Sequence, residues 1–583
     1  MESTKAVQER PKHLLTVSVE DFFHSGSLEG VVAIKHWTRI ESRLERSIKL
    51  TLDLLGEHGI TATFFVLGWT AERQPEIVRM IRAAGHEIAS RGYGKGTIQS
   101  PDALREALHR TREALESAGS NRIYGYRHWR WITRPEELSI VNIIAQEGYA
   151  YDSSVNPLLR RFAHDPRWFK AHAHRMLGAK PTLWEFPVST MDVLGYRIPI
   201  SGGNYLRQLP HRLISPAIAQ LDRARKGPIL FYFFPWEIDI EQPQVRGLSM
   251  FQQVRHYRRI GKTLHVLGKY FKMYPFQPIG DYLQLPWRTA PVEPARPRLP
   301  VEIVSAPEPA LAADAPGVSV VIPLYNEESN VAYLRGSLID LRQRLSRRYR
   351  VHFVLVDDGS SDATWTRLEE RFRDFPDCRI LKHEKNSGVA AAILTGIRNA
   401  STEIVASMDC DCSYDPNELE NMLPMIASAD LVTASPYHPQ GKVFNVPPWR
   451  LFLSRTLSGM YSSLLKCSIQ TYTSCFRVYR KSSMAGLEIK QGGFLGVAEM
   501  LIRLRLAGGR ITEYPTTLES RLFGESKMKI LRTIGKHLGL LRELAGLRLR
   551  GGIPQDAVPV AEAVLPPSSA PVVASRAPSV KIP

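Results

Sequence analysis

Four short apolar runs in the C-terminal half of the chain are each followed by a polar turn and a stretch with helical spacing of apolar residues. The runs lie in VSVVIPLYNEE, HFVLVDDGSSDAT, RILKHEKNSGVAAAI and EIVASMDCDCSYDP, which begin at Val318, His352, Arg379 and Glu403. Strand–turn–helix units in series pair as a parallel sheet, because a helical crossover brings each strand back in the same direction. This pattern predicts an α/β fold whose polar turns lie at the carboxyl ends of the strands, where such sheets bind ligands.

The N-terminal half also alternates strand and helix patterns but carries other motifs. Buried strands are predicted at Leu14–Val19, Thr61–Gly68 and Pro228–Phe234, and amphipathic helices at Gln74–Ala84 and Pro101–Ala118. The alternation favours an α/β layered or barrel fold. Because 583 residues exceed one ordinary core, we predict two domains. Their predicted boundaries are residues 13–286 and 317–552, with a Pro- and Ala-rich linker at 287–316 and a disordered tail at 553–583.

Charge and cysteine content narrow the function classes. The formal net charge of +18 favours an anionic partner, such as nucleic acid, a phosphorylated substrate or an anionic membrane. The sequence shows no nucleic-acid recognition motif, so we predict no nucleic-acid partner. Five cysteines without a regular framework favour reduced thiols. Without an apolar signal sequence or an apolar run that could span a bilayer, we expect a cytoplasmic protein, either free or peripheral on the inner face of the membrane.

Asp409 and Asp411 follow the apolar run Glu403–Met408 and are two residues apart. Two carboxylates at a strand end suit a hard divalent cation such as Mg²⁺ or Mn²⁺, which would bridge the oxygens of a diphosphate. Asp357 and Asp358 end another run and could hold a ribose, a base edge or the same metal. An isolated Asp-x-Asp pair is more often a turn or a helix cap, so the prediction depends on the motifs around it.

These motifs occur in a recognisable order: PLYNEE, VDDGSSDAT, NSGVAAAI, DCD, SCFRVYRK and RLFGESKMK. In this order the chain resembles the family 2 glycosyltransferases with the GT-A (Rossmann-like) fold, from about Val318 to Leu540. Among them it is most similar to the polyprenyl-phosphate glycosyltransferases of the dolichyl-phosphate mannose synthase type. The resemblance implies a nucleotide-sugar donor held by Pro323, Tyr325, Glu327, Asp357, Asp409, Asp411, Arg521 and Lys527.

The same resemblance implies roles for individual side chains. Asp409 and Asp411 would hold the metal, and Asp411, Arg521 and Lys527 would form the catalytic set. Arg521 and Lys527 would bind the donor diphosphate or the acceptor phosphate, since guanidinium and ammonium groups are natural phosphate ligands. Arg477 would lie on the acceptor side or pair with a carboxylate. Ser413, Pro436, Thr471 and Cys475 depart from the pattern of the family.

The implied reaction is the transfer of one sugar from a nucleotide-sugar to a lipid phosphate, with inversion at the anomeric carbon. A lipid phosphate is anionic at neutral pH, whereas an alcohol acceptor needs a general base. Two alternatives stay open: transfer to a glycan or glycolipid hydroxyl, and a non-catalytic scaffold that binds glycan or membrane. A basic amphipathic stretch at Met528–Gly552 suits an anionic membrane surface, its own domain or the partner in a homo-oligomer.

Motifs of the N-terminal half, among them SVEDFF, GYRHW, YDSS, WEFPVS and FFPWEID, resemble polysaccharide deacetylases of the exopolysaccharide-locus type, which have a distorted (β/α) barrel. The resemblance implies a metal site, but Arg91 and Lys95 stand at its His positions, and cations do not ligate metals. Ser18 stands at the position of the base, beside Glu20 and Asp21, and Phe234 replaces a further His. We therefore predict a degenerate site, with residual deacetylation as the alternative.

Two other uses of this degenerate site stay open. His24, His86 and His128 could rebuild a metal site. Alternatively, basic and aromatic side chains could form a cleft for an anionic sugar or a lipid phosphate. The residues predicted for that cleft are Arg91, Lys95, Arg127, Arg130, Trp129 and Trp131.

Overall fold

The structure is a computed structural model of the whole chain. It describes residues 11–95, 100–132, 139–157, 173–176, 181–193, 196–224, 227–289, 315–444, 446, 448–524 and 530–549. The chain forms two compact units, Met1–Ile303 and Val304–Pro583. Each unit is described by itself.

The first unit is built on a curled, mostly parallel sheet. Its strands are β1 (His13–Val19), β2 (Thr63–Val66), β3 (Glu87–Ser90), β4 (Gly125–Tyr126), β5 (Tyr151–Asp152), β6 (His174–Arg175), β7 (Trp184–Glu185), β8 (Thr190–Val193), β9 (Tyr196–Pro199), β10 (Leu230–Phe233) and β11 (Phe276–Gln277). The order is β10-β1-β2-β3-β4-β5-β7-β6, and β11 also pairs with β1. Only β6 runs antiparallel to its neighbour in this sheet, and β8 and β9 form a separate hairpin.

Helices connect most of these strands, and most of them have a buried apolar side. They are α1 (Leu44–Glu57), α2 (Gly68–Arg73), α3 (Pro75–Ala83), α4 (Pro101–Ser117), α5 (Ser139–Gln146), α6 (Gly203–Gln208), α7 (His211–Ala224), α8 (Met250–Tyr257), α9 (Ile260–Met273) and α10 (Ile279–Tyr282). Helix α4 shows why they form where they do: Ser100 caps its first turn, and Leu104, Leu108 and Leu115 share its buried face.

The second unit contains an open mixed sheet. Its strands are β12 (Gly317–Leu324), β13 (Arg350–Asp357), β14 (Cys378–Lys382), β15 (Ile404–Ser407), β16 (Leu431–Ser435), β17 (Lys442–Val443), β18 (Arg477–Arg480), β19 (Ile511–Pro515) and β20 (Thr517–Leu518). The order is β14-β13-β12-β15-β18-β16-β19. Strands β12 to β15 are parallel, β18 is antiparallel to both of its neighbours, and β17 pairs with β20 outside the main sheet.

Its helices are α11 (Val331–Leu345), α12 (Thr364–Phe372), α13 (Val389–Asn399), α14 (Leu419–Met422), α15 (Pro448–Leu465), α16 (Lys481–Ala485), α17 (Phe494–Leu506) and α18 (Ile530–Leu549). Helices α17 and α13 contribute more residues than the other helices to one buried apolar cluster, which also contains Val321 of β12, Val354 of β13 and Val405 of β15. Helix α18 adds Leu540, Leu541 and Leu544 to this cluster. Among the helices that the structure describes, none is both long and apolar enough to cross a membrane.

The predicted fold class, α/β in both halves, is confirmed. The four predicted parallel strands are present, but sequence periodicity did not indicate that β18 is antiparallel. This strand returns between two parallel blocks, and strand direction depends on pairing rather than on local residue pattern. Trp287, predicted to begin the linker, is buried and donates through its indole nitrogen to Asp281 Oδ1 at 2.8 Å. Residues 290–314, which hold most of the predicted linker, and the predicted tail lie outside the described residues.

Candidate functional site

Two polar turns meet at the carboxyl ends of β12 and β13. Asn326 takes a left-handed backbone conformation, with φ of 53°, which asparagine tolerates better than most residues. Its Oδ1 accepts from the backbone N–H of Ser361 at 2.7 Å, and its own N–H donates to Ser360 Oγ at 2.9 Å. The adjacent Glu327 N–H donates to Thr364 Oγ1 at 2.8 Å. The PLYNEE and VDDGSSDAT motifs are therefore held together as one surface.

Pro323 lies where the sheet begins to open. Strand β12 pairs with β13 as far as Leu324, but its pairing with β15 ends at Val321 opposite Ser407. A proline cannot donate to a sheet ladder and is tolerated where pairing stops. The chain after β15 thus diverges from β12, and the acidic motif that follows β15 faces the turn after Pro323. Tyr325, the next predicted residue, is exposed there.

An ion cluster joins three of the sequence-predicted residues. Arg521 Nη2 lies 2.7 Å from Asp411 Oδ2, and its Nη1 lies 3.5 Å from Glu327 Oε1. Glu327 Oε2 also accepts from Asn330 Nδ2 at 2.6 Å. Burial by itself would lower the pKa of Arg521, but the charges of Asp411 and Glu327 outweigh it and raise that pKa. The first, fourth and last motifs of the unit therefore converge at one point.

Asp409 lies beside this cluster in an unfavourable electrostatic environment. Loss of solvation and the negative charge of Asp411 raise its pKa to about 7, while a hydrogen bond from the Cys475 thiol and the charge of Arg521 act in the opposite direction. Asp411 is fixed by Ser413, whose backbone N–H and Oγ both donate to Asp411 Oδ1, at 2.9 and 2.7 Å. Two neighbouring carboxylates that share one guanidinium keep a net negative charge, which favours binding of a further cation.

A divalent cation fits this donor set only in part. Within the described residues, no group of three or more His, Cys, Asp and Glu side chains forms a metal site. Mg²⁺, however, is usually held by one or two carboxylates together with substrate phosphates. Asp409 and Asp411 are such a pair, and a cation there would offset the repulsion that raises the pKa of Asp409. The fit therefore requires oxygen ligands from a bound diphosphate.

The neighbouring acids Asp357 and Asp358 have different environments. Asp358 is fully used: its Oδ1 accepts from His383 Nδ1 at 2.7 Å and Ser387 N at 2.9 Å, and its Oδ2 accepts from Gly388 N at 2.7 Å. Asp357 Oδ1 accepts from Ser360 N at 3.3 Å, but its buried Oδ2 has no hydrogen-bond partner among the described residues. A buried carboxylate oxygen without a donor is costly, so Asp357 is the better candidate for a ligand contact.

The guanidinium of Arg477 is held by backbone carbonyls. It is fully buried on β18, where Nη1 donates to Val497 O and Nη2 to Tyr472 O, both at 2.6 Å. These bonds hold the segment before β18 against α17, and within the described part of the chain no carboxylate forms an ion pair with this guanidinium. Motif spacing does not reveal which way a strand residue faces, so the sequence alone did not indicate that this side chain is buried. Contact with an acceptor stays a prediction for Arg477. Lys527 lies outside the described residues.

A cleft of about 580 Å³ lies between α15, the turn after β16 and the segment before β18. Its lining residues include Tyr437, Arg455, Ser458, Ser462 and Gln470. Ser458 is buried and its Oγ has no hydrogen-bond partner in the described part of the chain. The segment 468–476 connects the cleft to the ion cluster, because its Cys475 thiol bonds to Asp409. No sequence motif marked this cleft, which forms only when α15 packs.

In the first unit, cationic side chains occupy the predicted degenerate site. Arg91 Nε and Nη2 both lie 2.5 Å from Glu20 Oε1, and both residues are almost completely buried. Arg91 also donates to the backbone carbonyl of Trp129 at 3.2 Å, and its guanidinium faces the ring of Phe234 at 5.7 Å. Glu20 is therefore paired with a fixed guanidinium. The loss of the metal site stays a prediction.

Arg127 is the centre of a second buried network. Its Nη1 donates to Ser18 Oγ at 3.1 Å, and its Nη2 donates to Thr16 Oγ1 at 3.0 Å and Ser153 Oγ at 2.8 Å. Burial, reinforced by the charge of Arg91, lowers the pKa of Arg127 to about 9. Ser18, which stands at the predicted position of the base, therefore accepts a hydrogen bond from the buried guanidinium of Arg127.

Asp21 and Lys95 are also engaged in local structure. Asp21 accepts from Ser42 Oγ at 2.7 Å and from the backbone N–H of Phe22 and Arg43 at 2.8 and 2.9 Å, and its burial raises its pKa to about 6. Lys95 Nζ donates to Ser25 O at 3.4 Å, and burial lowers its pKa. These bonds give both side chains structural roles at the mouth of the sheet.

The three histidines considered for a rebuilt site are separately engaged. His24 Nδ1 accepts from the N–H of Asp21 at 3.1 Å, His86 Nδ1 accepts from Ala62 N at 3.3 Å, and His128 Nδ1 bonds to Tyr126 OH at 3.0 Å. Burial lowers the pKa of all three. Among the described residues, these histidines are part of no group of three or more His, Cys, Asp and Glu side chains that could hold a metal ion. Trp131 packs against buried Arg127, whereas Trp129 faces exposed Arg130.

Matches to known families fall separately within the two compact units of the chain. Residues 319–487 match glycosyl transferase family 2, residues 43–151 match polysaccharide deacetylase, and residues 153–284 match a domain of unknown function, DUF3473. Relatives of the second unit include dolichol-phosphate mannosyltransferase of Pyrococcus furiosus, 31% identical over 215 residues, which cover 36% of this chain. The chain spans only 59% of the length of that protein.

Two bacterial relatives are covered more fully. Undecaprenyl-phosphate mannosyltransferase of Micrococcus luteus is 29% identical over 248 residues, which make up 40% of this chain and 99% of that protein. Polyprenol monophosphomannose synthase of Mycolicibacterium smegmatis is 30% identical over 229 residues, which make up 38% and 84%.

Solved structures with detectable similarity include a candidate polysaccharide deacetylase from Mycobacterium smegmatis, with a TM-score of 0.31, 20% identity and coverage of 49% of this chain and 94% of that one. Another is glucosyl-3-phosphoglycerate synthase from Mycobacterium tuberculosis with Mn²⁺, UDP and glucosyl-3-phosphoglycerate, with a TM-score of 0.29, 22% identity and coverage of 42% and 82%. The order of motifs, the family match and the sequence relatives agree for the second unit. The chain belongs to glycosyl transferase family 2 through that unit, which makes it a glycosyltransferase, and its first unit is polysaccharide deacetylase-like.

Proposed function

We propose that the second unit transfers one sugar from a nucleotide-sugar donor to a polyprenyl-phosphate-type lipid, with inversion at the anomeric carbon. The observation that carries the proposal is the cluster of Glu327, Asp411 and Arg521 at the carboxyl ends of the sheet, with Asp409 beside it. The names of the three relatives, which act on dolichol, undecaprenyl and polyprenol phosphates, support this acceptor class. The identity of the sugar and the nucleotide is left to experiment.

The donor would be held at its nucleoside and at its diphosphate. Asp357, whose buried Oδ2 has no hydrogen-bond partner among the residues that the structure describes, would accept from a ribose hydroxyl or a base N–H. Asp409 and Asp411 would hold Mg²⁺ or Mn²⁺, which when bound would neutralise charge on the departing nucleoside diphosphate. Arg521 now pairs with Asp411, and it would donate to a diphosphate oxygen once that carboxylate is engaged otherwise.

The acceptor would approach from the side of α15. This helix has an exposed apolar stripe formed by Trp449, Phe452, Leu453 and Met460, of which Phe452 is 70% exposed. Their spacing of three, four and seven residues places them on one face. The same helix lines the 580 Å³ cleft with Arg455 and the unpartnered hydroxyl of Ser458. A cation and a hydroxyl in a cleft, on the same helix as an exposed apolar stripe, suit a lipid phosphate better than a sugar hydroxyl.

The mechanism requires little proton transfer from the protein. A phosphate oxygen is already anionic at neutral pH, so it can attack the anomeric carbon as the bond to the nucleoside diphosphate breaks. Arg521 and the carboxylate pair would act on the leaving group, and the attack from the opposite side would invert the configuration. A hydroxyl acceptor would instead need a base within hydrogen-bonding distance of it.

The experiment is a donor screen with the purified full-length chain. UDP- and GDP-sugars are incubated with Mg²⁺ or Mn²⁺ and with a short polyprenyl phosphate, the corresponding polyprenol, or no acceptor, and nucleotide release and the glycolipid product are measured. Asp411→Asn is compared with Asp374→Asn, which changes an exposed acid elsewhere in the unit. Metal-dependent product formation with the phosphate, lost only in Asp411→Asn, supports the proposal. Equal or faster transfer to the polyprenol or a glycan refutes the lipid-phosphate acceptor.

We infer that the first unit does not hydrolyse acetylated sugars, because Glu20 is held by Arg91 rather than left open for a metal. The test is release of acetate from acetylated chito-oligosaccharides with Zn²⁺, Co²⁺ or Mn²⁺. Metal-dependent acetate release by the wild-type chain that is lost in Glu20→Gln would refute this inference. The same protein should retain no stoichiometric metal in this unit after dialysis.

A further inference from the structure

Helix α8 of the first unit is fixed from its inner side by a polar anchor. The His256 ring stacks on Trp236, with centroids 4.4 Å apart and planes 7° apart. His256 Nε2 bonds to Gln242 Oε1 at 2.9 Å, and its Nδ1 bonds to Ser27 Oγ at 3.2 Å. Gln252, one turn before His256, donates to the carbonyl of Glu29 at 3.5 Å. Because this face is already engaged, the helix cannot rotate to bury its opposite face.

That opposite face presents large apolar side chains to solvent. Met250 is 82% and Phe251 is 75% exposed, and Val254 is exposed one turn further on. Ser249 and Gln252 form a reciprocal capping box around the first turn, which fixes these side chains on a formed helix. Two adjacent side chains of this size at such exposure indicate a surface that another phase or molecule covers.

The surface around them is basic. Residues 242–280 contain seven Lys and Arg and no Asp or Glu. Arg255 lies one turn after Phe251 on the exposed side of α8. Arg258 and Arg259, both exposed, connect α8 to α9, and exposed Lys262 lies in the first turn of α9. The full set is Arg246, Arg255, Arg258, Arg259, Lys262, Lys269 and Lys272.

Acidic groups from neighbouring elements do little to offset this charge. Asp239 is paired with Arg43, and Glu241 lies 2.6 Å from Arg46 Nη1. Glu29 is exposed at the rim of this surface. The face formed by α8 and the start of α9 therefore has a net positive charge.

We propose that this face docks the first unit on an anionic lipid bilayer. Met250 and Phe251 enter the boundary between headgroups and acyl chains, while the basic side chains around them contact lipid phosphates. A symmetric contact with a second copy would bring two basic faces together, which electrostatic repulsion opposes. The proposal goes beyond the proposed transferase function and uses no residue of that site.

The test is co-sedimentation of the full-length chain with vesicles of phosphatidylcholine, with and without phosphatidylglycerol. All variants carry Trp449→Ser and Phe452→Ser, so that the apolar stripe of α15 does not contribute. Met250→Ser with Phe251→Ser is then compared with Ile34→Ser and Leu213→Ser, a matched pair of exposed apolar residues elsewhere in the unit, 52% and 67% exposed. Oligomeric state is measured by light scattering in parallel.

The expected result is binding that requires phosphatidylglycerol, weakens with added salt and falls at least about tenfold in the Met250/Phe251 variant but not in its control. Binding that disappears already in the background variant, or that the Met250/Phe251 change alters no more than its control does, would overturn the proposal. So would a change from dimer to monomer in that variant without an effect on vesicle binding. Metal-dependent hydrolysis of the donor should be the same in the Met250/Phe251 variant as in the background variant, so loss of docking and failure of the transferase are separate outcomes.

Discussion

At the scale of single residues, Arg521 is the side chain on which the candidate transferase site depends most. It contacts both Asp411 and Glu327, which belong to different motifs far apart in the chain. A guanidinium can bind two carboxylates and later a diphosphate because its donors lie in one plane. A lysine at this position would carry the charge without that geometry.

We therefore expect Arg521→Gln to lower kcat/KM at least about 100-fold. This is the loss typical of removing one preorganised hydrogen-bond donor to the charge that develops in the transition state. Arg521→Lys should recover part of the loss. The measurement is product formation under the conditions identified by the donor screen. Arg398→Gln, which changes an exposed arginine on α13, is the matched control. Equal activity of the glutamine variant and this control would contradict the assigned role.

The buried pair Glu20–Arg91 yields a stability prediction. Arg91→Met leaves the Glu20 carboxylate buried without its partner, and we expect a loss of about 3–5 kcal/mol in the free energy of unfolding. Changing both residues to Met should cost much less, because no charge is then left uncompensated. Urea unfolding followed by tryptophan fluorescence reports on this unit, since eight of the ten tryptophans precede residue 304. Equal destabilisation by the single and the double variant would refute the pairing argument.

His256 provides a pH prediction. Burial lowers its pKa from 6.5 to about 3, so between these values the unfolded chain binds a proton that the folded chain does not. Its contribution to stability is therefore present above pH 6.5 and is lost as the pH falls, by up to about 1.4 kcal/mol per pH unit. In His256→Gln, unfolding of the first unit should become less sensitive to acid, whereas His265→Gln, on the exposed side of α9, should not change it. If the free energy of unfolding of His256→Gln depended on pH as steeply as that of the wild-type chain, this assignment would be disproved.

At the scale of elements, α15 combines two surfaces in one helix. One face lines the cleft with Arg455 and Ser458, and another presents the apolar stripe that contains Trp449 and Phe452. Helix length and loop composition alone do not predict this arrangement. The helix would therefore place a lipid chain and its phosphate at neighbouring positions.

For this helix we expect Phe452→Ser with Met460→Ser to reduce transfer to long-chain lipid phosphate in vesicles about tenfold or more, because exposed apolar area that would contact lipid is lost. Metal-dependent hydrolysis of the donor should stay unchanged, since neither side chain contacts the ion cluster. Ile339→Ser, at an exposed apolar position on α11, is the control. A parallel loss of donor hydrolysis would show that the stripe supports the fold rather than the acceptor.

At the scale of the whole molecule, the two compact units have separate hydrophobic cores. Because each core is built from its own sheet and helices, we predict that each unit folds without the other. The first unit buries cationic side chains such as Arg91 and Arg127, and the second unit places its acids at a sheet edge. The chain thus joins a family 2 glycosyltransferase unit to a polysaccharide deacetylase-like unit that contains a buried ion network.

This separation can be tested with the fragment 304–583. We expect it to keep metal-dependent turnover of the donor within a factor of about three of the full chain, because every described residue assigned to the donor lies in its own core and turns. Circular dichroism verifies that the fragment is folded. A folded fragment without turnover would show that the first unit contributes to the donor site.

The sequence by itself determined the fold class and the order of the transferase motifs, because these follow from residue type and spacing. The loss of metal-ligating residues in the first unit stays a prediction from the family resemblance. Tertiary structure decided which of the predicted residues meet. Arg521 reaches Asp411 and Glu327 because three segments converge at the carboxyl end of one sheet, whereas Arg477, from an equally specific motif, points into the core. The antiparallel return of β18, the cleft under α15 and the basic apolar face of α8 depend on packing between distant segments. Local sequence patterns encode which face of an element is apolar, but not which partner covers it.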